Sequence, residues 1–258
     1  MFRPAVRPVR QRRSFAIPPT LRTARIVGSV RHIAIEGAIG AGKTSLVHLL
    51  AADLDARPVL ELVEENPFLT GGFYHDLERF AFDTQMFFLL SRLRQQREVA
   101  RTLAAGEGTV LADYCFDKDN IFALLTLGAE DYRLYERVFR AFRAELPAPD
   151  LVVYLRATTD VLLRRIRRRD RFFERTIREP YVDSLNRSYE EYFASFSGPA
   201  HVTVDVSSID WVGRPADYEA IRAVILRTIA NIDAGQGSFD LFEEEGDGAE
   251  WEASSTRG

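Results

Sequence analysis

Gly37-Ala38-Ile39-Gly40-Ala41-Gly42-Lys43-Thr44 fits G-x-x-x-x-G-K-[ST] at every fixed position. Arg31 to Glu36 before it reads as a short strand, and Ser45 to Ala52 after it reads as a helix. Strand, glycine loop and helix is the context this motif requires. Successive backbone N–H groups can point at phosphate oxygens, the helix N-terminus adds favourable partial charge, and glycine lets the backbone approach closely. The stretch from Gly37 through Ser45 is therefore expected to cradle a nucleoside triphosphate. Lys43 reaches the β- and γ-phosphates and Thr44 holds Mg²⁺ in that expectation. A plain glycine-rich turn ahead of a helix is the alternative, and the flanking strand and helix tell against it.

Composition bounds what surrounds the loop. The 258 residues, 46% hydrophobic and 28% charged, suffice for one α/β domain with tails. A net charge of −4 and a pI near 5.7 give no overall attraction to nucleic acid or to a membrane surface. No apolar run reaches the length of a membrane span. The single cysteine, Cys115, excludes an intrachain disulfide and a Cys-rich zinc site, and suits a reducing cytosol. His32, His48, His75 and His201 show no metal-ligand spacing.

Residues 1–27 carry seven arginines, no acidic residue and four prolines. The prolines would interrupt the amphipathic helix of a transit peptide, so a disordered basic extension is predicted. From Ala234 an acidic Gly- and Ser-containing tail is predicted to be disordered as well. The folded domain is expected over residues 28–233.

Within it, strand-like and helical stretches alternate. Pro58 to Val63 reads as a second strand leading into Glu64-Glu65-Asn66-Pro67, and Tyr74 to Ala105 as one long helix without proline. Tyr74, Gln85 and Arg92 are 11 and 7 residues apart, which puts them within about 40° of one another at about 100° per residue. Gly108 to Asp113 is a third strand, followed by helical patterns at 121–127 and 132–144. Asp150 to Leu155 is a nearly wholly apolar fourth strand. Six arginines fall between Arg164 and Arg171; beside a phosphate-binding loop they read as a mobile lid. A helix at 177–196, a strand at 201–206 and a helix at 216–232 complete the pattern. The expected architecture is a five-stranded parallel sheet with helices on both faces, right-handed crossovers and an arginine-rich lid.

Four stretches together resemble the deoxynucleoside kinases, and among them the bacterial deoxyadenosine/deoxyguanosine kinases. They are the glycine loop, Glu61-Leu62-Val63-Glu64-Glu65-Asn66-Pro67-Phe68, Asp113-Tyr114-Cys115-Phe116-Asp117-Lys118-Asp119 and the arginine run, within about residues 31–231. The resemblance implies a P-loop kinase that phosphorylates the 5′-hydroxyl of a deoxyribonucleoside with ATP and Mg²⁺, as a cytoplasmic homodimer. It implies Glu61 as the base on the 5′-hydroxyl, although residue spacing alone leaves Glu64 and Glu65 as alternatives. Tyr74 and Glu174 match the pair on the sugar 3′-hydroxyl, and Gln85, Arg92 and Asp119 the groups that read the base. Asp113 matches the acid near substrate and Mg²⁺, and Arg165, Arg169 and Arg171 the lid arginines that close on phosphates.

The chain departs from that pattern where Tyr114 and Cys115 stand in place of an arginine and a serine. In relatives that arginine lies beside the reacting oxygens; Lys118 or a lid arginine is expected to substitute. Two other readings compete. A nucleoside monophosphate kinase needs a basic site for its acceptor's phosphate, commonly with an arginine where Tyr114 stands. A P-loop protein that binds nucleotide without an acceptor, or nucleic acid through the arginines, needs no second pocket such as the Tyr74, Gln85, Arg92 stripe.

Overall fold

The computed structural model describes residues 28–235. The expected basic extension (1–27) and the acidic tail from 236 onward lie outside the described residues. Among the described residues five strands form one sheet: β1 (His32–Glu36), β2 (Arg57–Val59), β3 (Val110–Ala112), β4 (Leu151–Arg156) and β5 (Ala200–Asp205). Their order is β2-β3-β1-β4-β5, and every pairing is parallel. The strands nearest the centre are buried along almost their whole length, which is why they read as apolar runs without alternation.

Among the described residues eight α-helices lie between or after the strands: α1 (Lys43–Asp53), α2 (Pro67–Thr70), α3 (Leu77–Ala105), α4 (Lys118–Thr126), α5 (Ala129–Arg143), α6 (Thr159–Arg169), α7 (Glu179–Ala194) and α8 (Pro215–Asp233). From the central β1 the chain runs out to the edge strand β2, then returns through β3 and crosses to β4 and β5. Right-handed crossovers in the two directions put α1 and the helices of the later crossovers on opposite faces of the sheet, while α8, after β5, returns to α1, where Tyr218 donates to Asp53 at 3.2 Å. The reversal leaves a crevice at the carboxyl ends of β2, β3 and β1. One core cluster joins the sheet to α1, α6, α7 and α8 through residues such as Ile33, Leu46, Leu50 and Val153. A second, containing Leu89, Leu93, Phe116, Tyr135 and Phe139, binds α3, α4 and α5 into one unit.

Two boundaries differ from the sequence expectation because a side chain takes a backbone group. The second strand stops at Val59 instead of Val63: the Glu61 N–H donates to the Asp113 carboxylate at 2.7 Å, and Gln95 Nε2 donates to the Leu60 carbonyl at 2.7 Å. The long helix begins at Leu77, not Tyr74, because the Asp76 carboxylate accepts from the Arg79 N–H at 3.1 Å and caps it. The arginine run occupies the second half of α6, which ends at Asp170 in the left-handed region with φ 50°.

Gly42 caps α1 with φ 101°, and a Cβ at that position would lie 2.4 Å from Cζ2 of the buried Trp211. Backbone strain and overpacking act together there. Gly42→Ala is expected to lower the unfolding free energy by roughly 2 kcal/mol or more. Urea unfolding checks this: the midpoint drops at unchanged m, whereas an unchanged midpoint means that the loop does not hold this conformation in solution.

Candidate active site

The phosphate-binding loop leaves β1 at Glu36, a fully buried carboxylate in the last place of an apolar strand. It accepts from the Cys115 N–H at 2.5 Å, the Gly37 N–H at 3.2 Å and the Tyr189 hydroxyl at 3.2 Å. Glu36 thus ties the loop's first residue to the turn after β3 and to α7. The loop itself closes through Ala41 N–H to Ala38 O at 3.1 Å, with Ile39 and Gly40 at the bend and Ser45 in the first turn of α1. Lys43 lies over the loop and donates to the carbonyls of Gly37 at 2.7 Å and Ala38 at 3.2 Å. Burial pulls its pKa down to about 7, and the charge of Lys118 adds to the fall, while Glu36 and Asp113 oppose it.

Asp113 joins the loop to the segment carrying Glu61. One of its oxygens accepts from the Thr44 hydroxyl at 2.6 Å, and the other accepts from the Glu61 N–H at 2.7 Å. Among the described residues no three His, Cys, Asp or Glu side chains gather as a metal cage. Mg²⁺ needs no such cage, since it commonly takes one or two protein oxygens and fills its octahedron with phosphate and water. Thr44 and Asp113 offer hard oxygen donors beside the phosphate loop and fit that requirement.

Glu61 does not stand in a simple acidic cluster. Lys118 Nζ donates to its Oε2 at 2.9 Å, and Arg92 donates to its Oε1. The same Arg92 guanidinium forms an ion pair with Asp119, a residue of 0% exposure. Glu64 and Glu65 are exposed; the Glu64 side chain is 75% accessible and its partner is Arg171 at 3.8 Å. Arg92 lies over the Phe88 ring at 4.7 Å and the Tyr114 ring at 5.7 Å. These aromatic faces line a desolvated slot for the guanidinium.

Gln85 is buried on α3, two turns before Arg92, and its Nε2 donates to Thr126 Oγ1 at 3.1 Å. Thr126 passes its own proton to the Phe122 carbonyl at 2.7 Å, which fixes the hydroxyl as acceptor toward Gln85. Helical spacing accounts for Gln85 and Arg92 together. It does not account for Tyr74, which lies in the turn ahead of α3. Tyr74 packs edge-on against Phe73 at 5.0 Å and Tyr181 at 5.7 Å. Burial raises its phenol pKa, with further contributions from Tyr181 and from the negative charge of Glu174. Tyr74 and Glu174 are therefore electrostatic neighbours, brought together from segments a hundred residues apart.

The three lid arginines take different places. Arg169 forms a two-pronged pair with buried Glu174, at 2.5 and 3.0 Å, and Arg171 lies 3.7 Å from the same carboxylate. Arg165 is engaged behind the loop instead. It donates to the carbonyls of Ala41 at 3.1 Å, Val206 at 2.8 Å and Ile209 at 2.7 Å, and covers the Trp211 ring at 5.3 Å. In this structure Arg165 clamps the loop to the segment after β5, and Arg169 and Arg171 lie together on the lid. Sequence reasoning did not single out Glu36, Gln95 or Trp211. An acid closing an apolar strand was the one available signal for Glu36; the other two carried none.

The Arg92–Asp119 pair makes a strong demand on the fold. Removing one partner of a buried ion pair leaves the other charge uncompensated, at a cost of about 3 kcal/mol or more. Arg92→Met is expected to destabilise the protein on that scale. Adding Asp119→Asn is expected to recover part of the loss, which chemical denaturation of the single and double variants measures. Additive losses would mean that the two groups do not interact.

Known proteins resemble the chain over nearly the whole described domain. Residues 33–230 match the model of a family described as deoxynucleoside kinase. The chain is similar to the deoxyguanosine kinase of Bacillus subtilis (strain 168), 34% identical over 201 residues that cover 76% of this chain and 97% of that protein. It is also similar to the deoxyadenosine/deoxycytidine kinase of the same organism, 32% identical over 196 residues, with 73% and 88% covered. Among solved structures, the deoxyadenosine kinase from M. mycoides with products dCMP and a flexible dCDP bound matches with a TM-score of 0.66 at 29% identity, over 76% of this chain and 98% of that one. The same kinase with bound dATP matches with a TM-score of 0.65 at 28% identity, over 75% and 98%. With the phosphate loop, the carboxylates after β2 and β3 and the lid in one crevice, this chain belongs to the deoxynucleoside kinase family.

Proposed function

We propose that the protein transfers the γ-phosphoryl group of ATP to the 5′-hydroxyl of purine deoxyribonucleosides, with Mg²⁺ held between Thr44, Asp113 and the phosphates. The observation that carries the reading is the Asp113 bridge. A single carboxylate joins the Thr44 hydroxyl of the phosphate loop to the backbone of Glu61, so donor site and acceptor base are parts of one rigid unit. Phosphoryl transfer asks the protein mainly for such positioning and for charge neutralisation.

Glu61 accepts the 5′-hydroxyl proton as the nucleoside oxygen bonds to the γ-phosphorus. The bond from that phosphorus to the bridging oxygen breaks, and its electron pair leaves with ADP. Lys43 and the loop N–H groups bind the β- and γ-phosphates; Thr44 and Asp113 would hold Mg²⁺, which would supply charge neutralisation there. Arg169 and Arg171 close on the phosphates and exclude water. Tyr74 and Glu174 hold the sugar 3′-hydroxyl. Gln85 and the Arg92–Asp119 pair present directed polar groups to the base. Purine preference is supported by the names of the similar kinases, deoxyguanosine kinase and deoxyadenosine/deoxycytidine kinase. A neutral acceptor is supported by Tyr114, which is buried and donates its hydroxyl to Gln95 Oε1 at 3.0 Å, so that no cation stands there to meet an acceptor's phosphate.

Among the described residues no helix is long and apolar enough to cross a membrane. We place the enzyme in the cytoplasm, in keeping with its single cysteine. A homodimer is supported by Leu90 on α3 and Leu124 on α4, large apolar side chains exposed on two helices that pack together.

A panel of deoxynucleosides and their monophosphates with labelled ATP tests the reading. Phosphorylation of deoxyadenosine or deoxyguanosine is expected; activity on monophosphates alone overturns it. Glu61→Gln is expected to lower kcat by on the order of 10²-fold or more with little change in ATP affinity, while the exposed Glu64→Gln stays near the parent. The base reading has its own test in kcat/KM for deoxyadenosine, deoxyguanosine and thymidine. Arg92→Met with Asp119→Ala is expected to narrow the purine advantage, because a site of buried polar groups rejects bases that leave them unpaired. An unchanged ratio assigns base selection elsewhere.

A further inference from the structure

Lys118 stands where the folding energetics disfavour it. It is the first residue of α4, where the helix dipole opposes a cation, and it is 3% exposed. Its neighbour across Glu61 is another cation, Arg92. A residue needed only to fill this volume or to lengthen α4 meets none of these costs as a methionine or leucine. The lysine points instead toward the reacting centre, where its ammonium group holds Glu61 Oε2 at 2.9 Å.

Three cations approach the same space from three elements. Lys43 comes from the loop, and Lys118 is the strongest charge acting on it, followed among the cations by Arg169 of the lid. In the absence of an anion these groups repel one another, and a phosphoryl group placed among them relieves the repulsion. Among the described residues, three other side chains that could have taken this place are engaged elsewhere. Tyr114 is neutral and turned to Gln95, Arg165 is committed behind the loop, and Arg92 is shared between Glu61 and Asp119. Burial, with Arg92 nearby, pulls the Lys118 pKa down to about 8. At neutral pH it therefore still carries its proton.

We propose that Lys118 is a catalytic residue of this enzyme, whose ammonium group holds Glu61 in the free site and, during transfer, donates a hydrogen bond to the phosphoryl group forming on the 5′-oxygen. The proposal rests on the reading of the site as a deoxynucleoside kinase. Lys118 loses no proton in the step; the hydroxyl proton goes to Glu61 and the leaving electron pair to ADP. The ammonium group exchanges one anionic partner for another, and its electrostatic contribution is largest where charge develops.

The test combines turnover with equilibrium binding for the parent, Lys118→Met, Lys118→Ala and Lys118→Arg. Removal of one preorganised donor of this kind is expected to lower kcat by about 10²- to 10³-fold, with each KM changed by less than about threefold. Lys118→Arg restores at least a tenth of the loss, and ethylammonium restores saturable activity to Lys118→Ala where tetramethylammonium does not. By calorimetry, Lys118→Met weakens binding of deoxyguanosine 5′-monophosphate by about tenfold or more and leaves deoxyguanosine nearly unchanged, a split of about 1.4 kcal/mol. Retained nucleoside binding shows that the variant is folded. Parent-like kcat in Lys118→Met, or equal weakening of nucleoside and monophosphate without amine rescue, overturns the proposal while leaving the kinase reading intact. A parent that binds no deoxynucleoside overturns both.

Discussion

Four charged side chains taken out of water, Glu61, Arg92, Lys118 and Asp119, must neutralise one another, and the acceptor side of the crevice is built to make that possible. They come from three places: the segment after β2, the middle of α3, and two adjacent positions at the start of α4. An isolated buried charge of this kind costs several kcal/mol. Consequently α3 and α4 cannot shift independently of each other or of the edge of the sheet. The aromatic cluster of Phe116, Tyr135 and Phe139 fills the space behind them and keeps water from weakening the pairs. A chain of charges that runs from Asp119 through Arg92 and Glu61 to Lys118 also couples the positions of these four groups mechanically.

The donor side obeys a different constraint. A loop of backbone N–H groups must hold its shape while empty, and its shape includes a left-handed glycine at 42. This loop is gripped on two sides. Glu36 collects donors from Gly37, Cys115 and Tyr189 at its entrance, and Arg165 with Trp211 closes on its back. Such support pre-organises the anion site at the expense of burying a carboxylate and committing an arginine that could otherwise face the phosphates. Cys115 plays its part through its backbone N–H. Burial raises its thiol pKa, which disfavours the thiolate.

Much of this was legible in the sequence because some signals are local. The eight residues from Gly37 to Thr44, set between an apolar strand and a helix, determined by themselves that a phosphate-binding loop lies at the carboxyl end of a strand. Alternating apolar and helical stretches determined a parallel α/β sheet, and helical periodicity put Gln85 and Arg92 on one face of α3. The reason is that backbone geometry repeats over a few residues, so spacing alone carries the information. Tertiary structure decided what depends on residues distant in the chain. It separated Glu61 from Glu64 by burial, because only Glu61 lies under α3 and α4. It began the long helix at Leu77 and brought Tyr74 to Glu174 from a turn. It drew Arg165 behind the loop, away from the other lid arginines, because three carbonyls and an indole face converge there. It set Lys118 on Glu61, since residues 57 apart meet only when packing brings the segment after β2 against the start of α4.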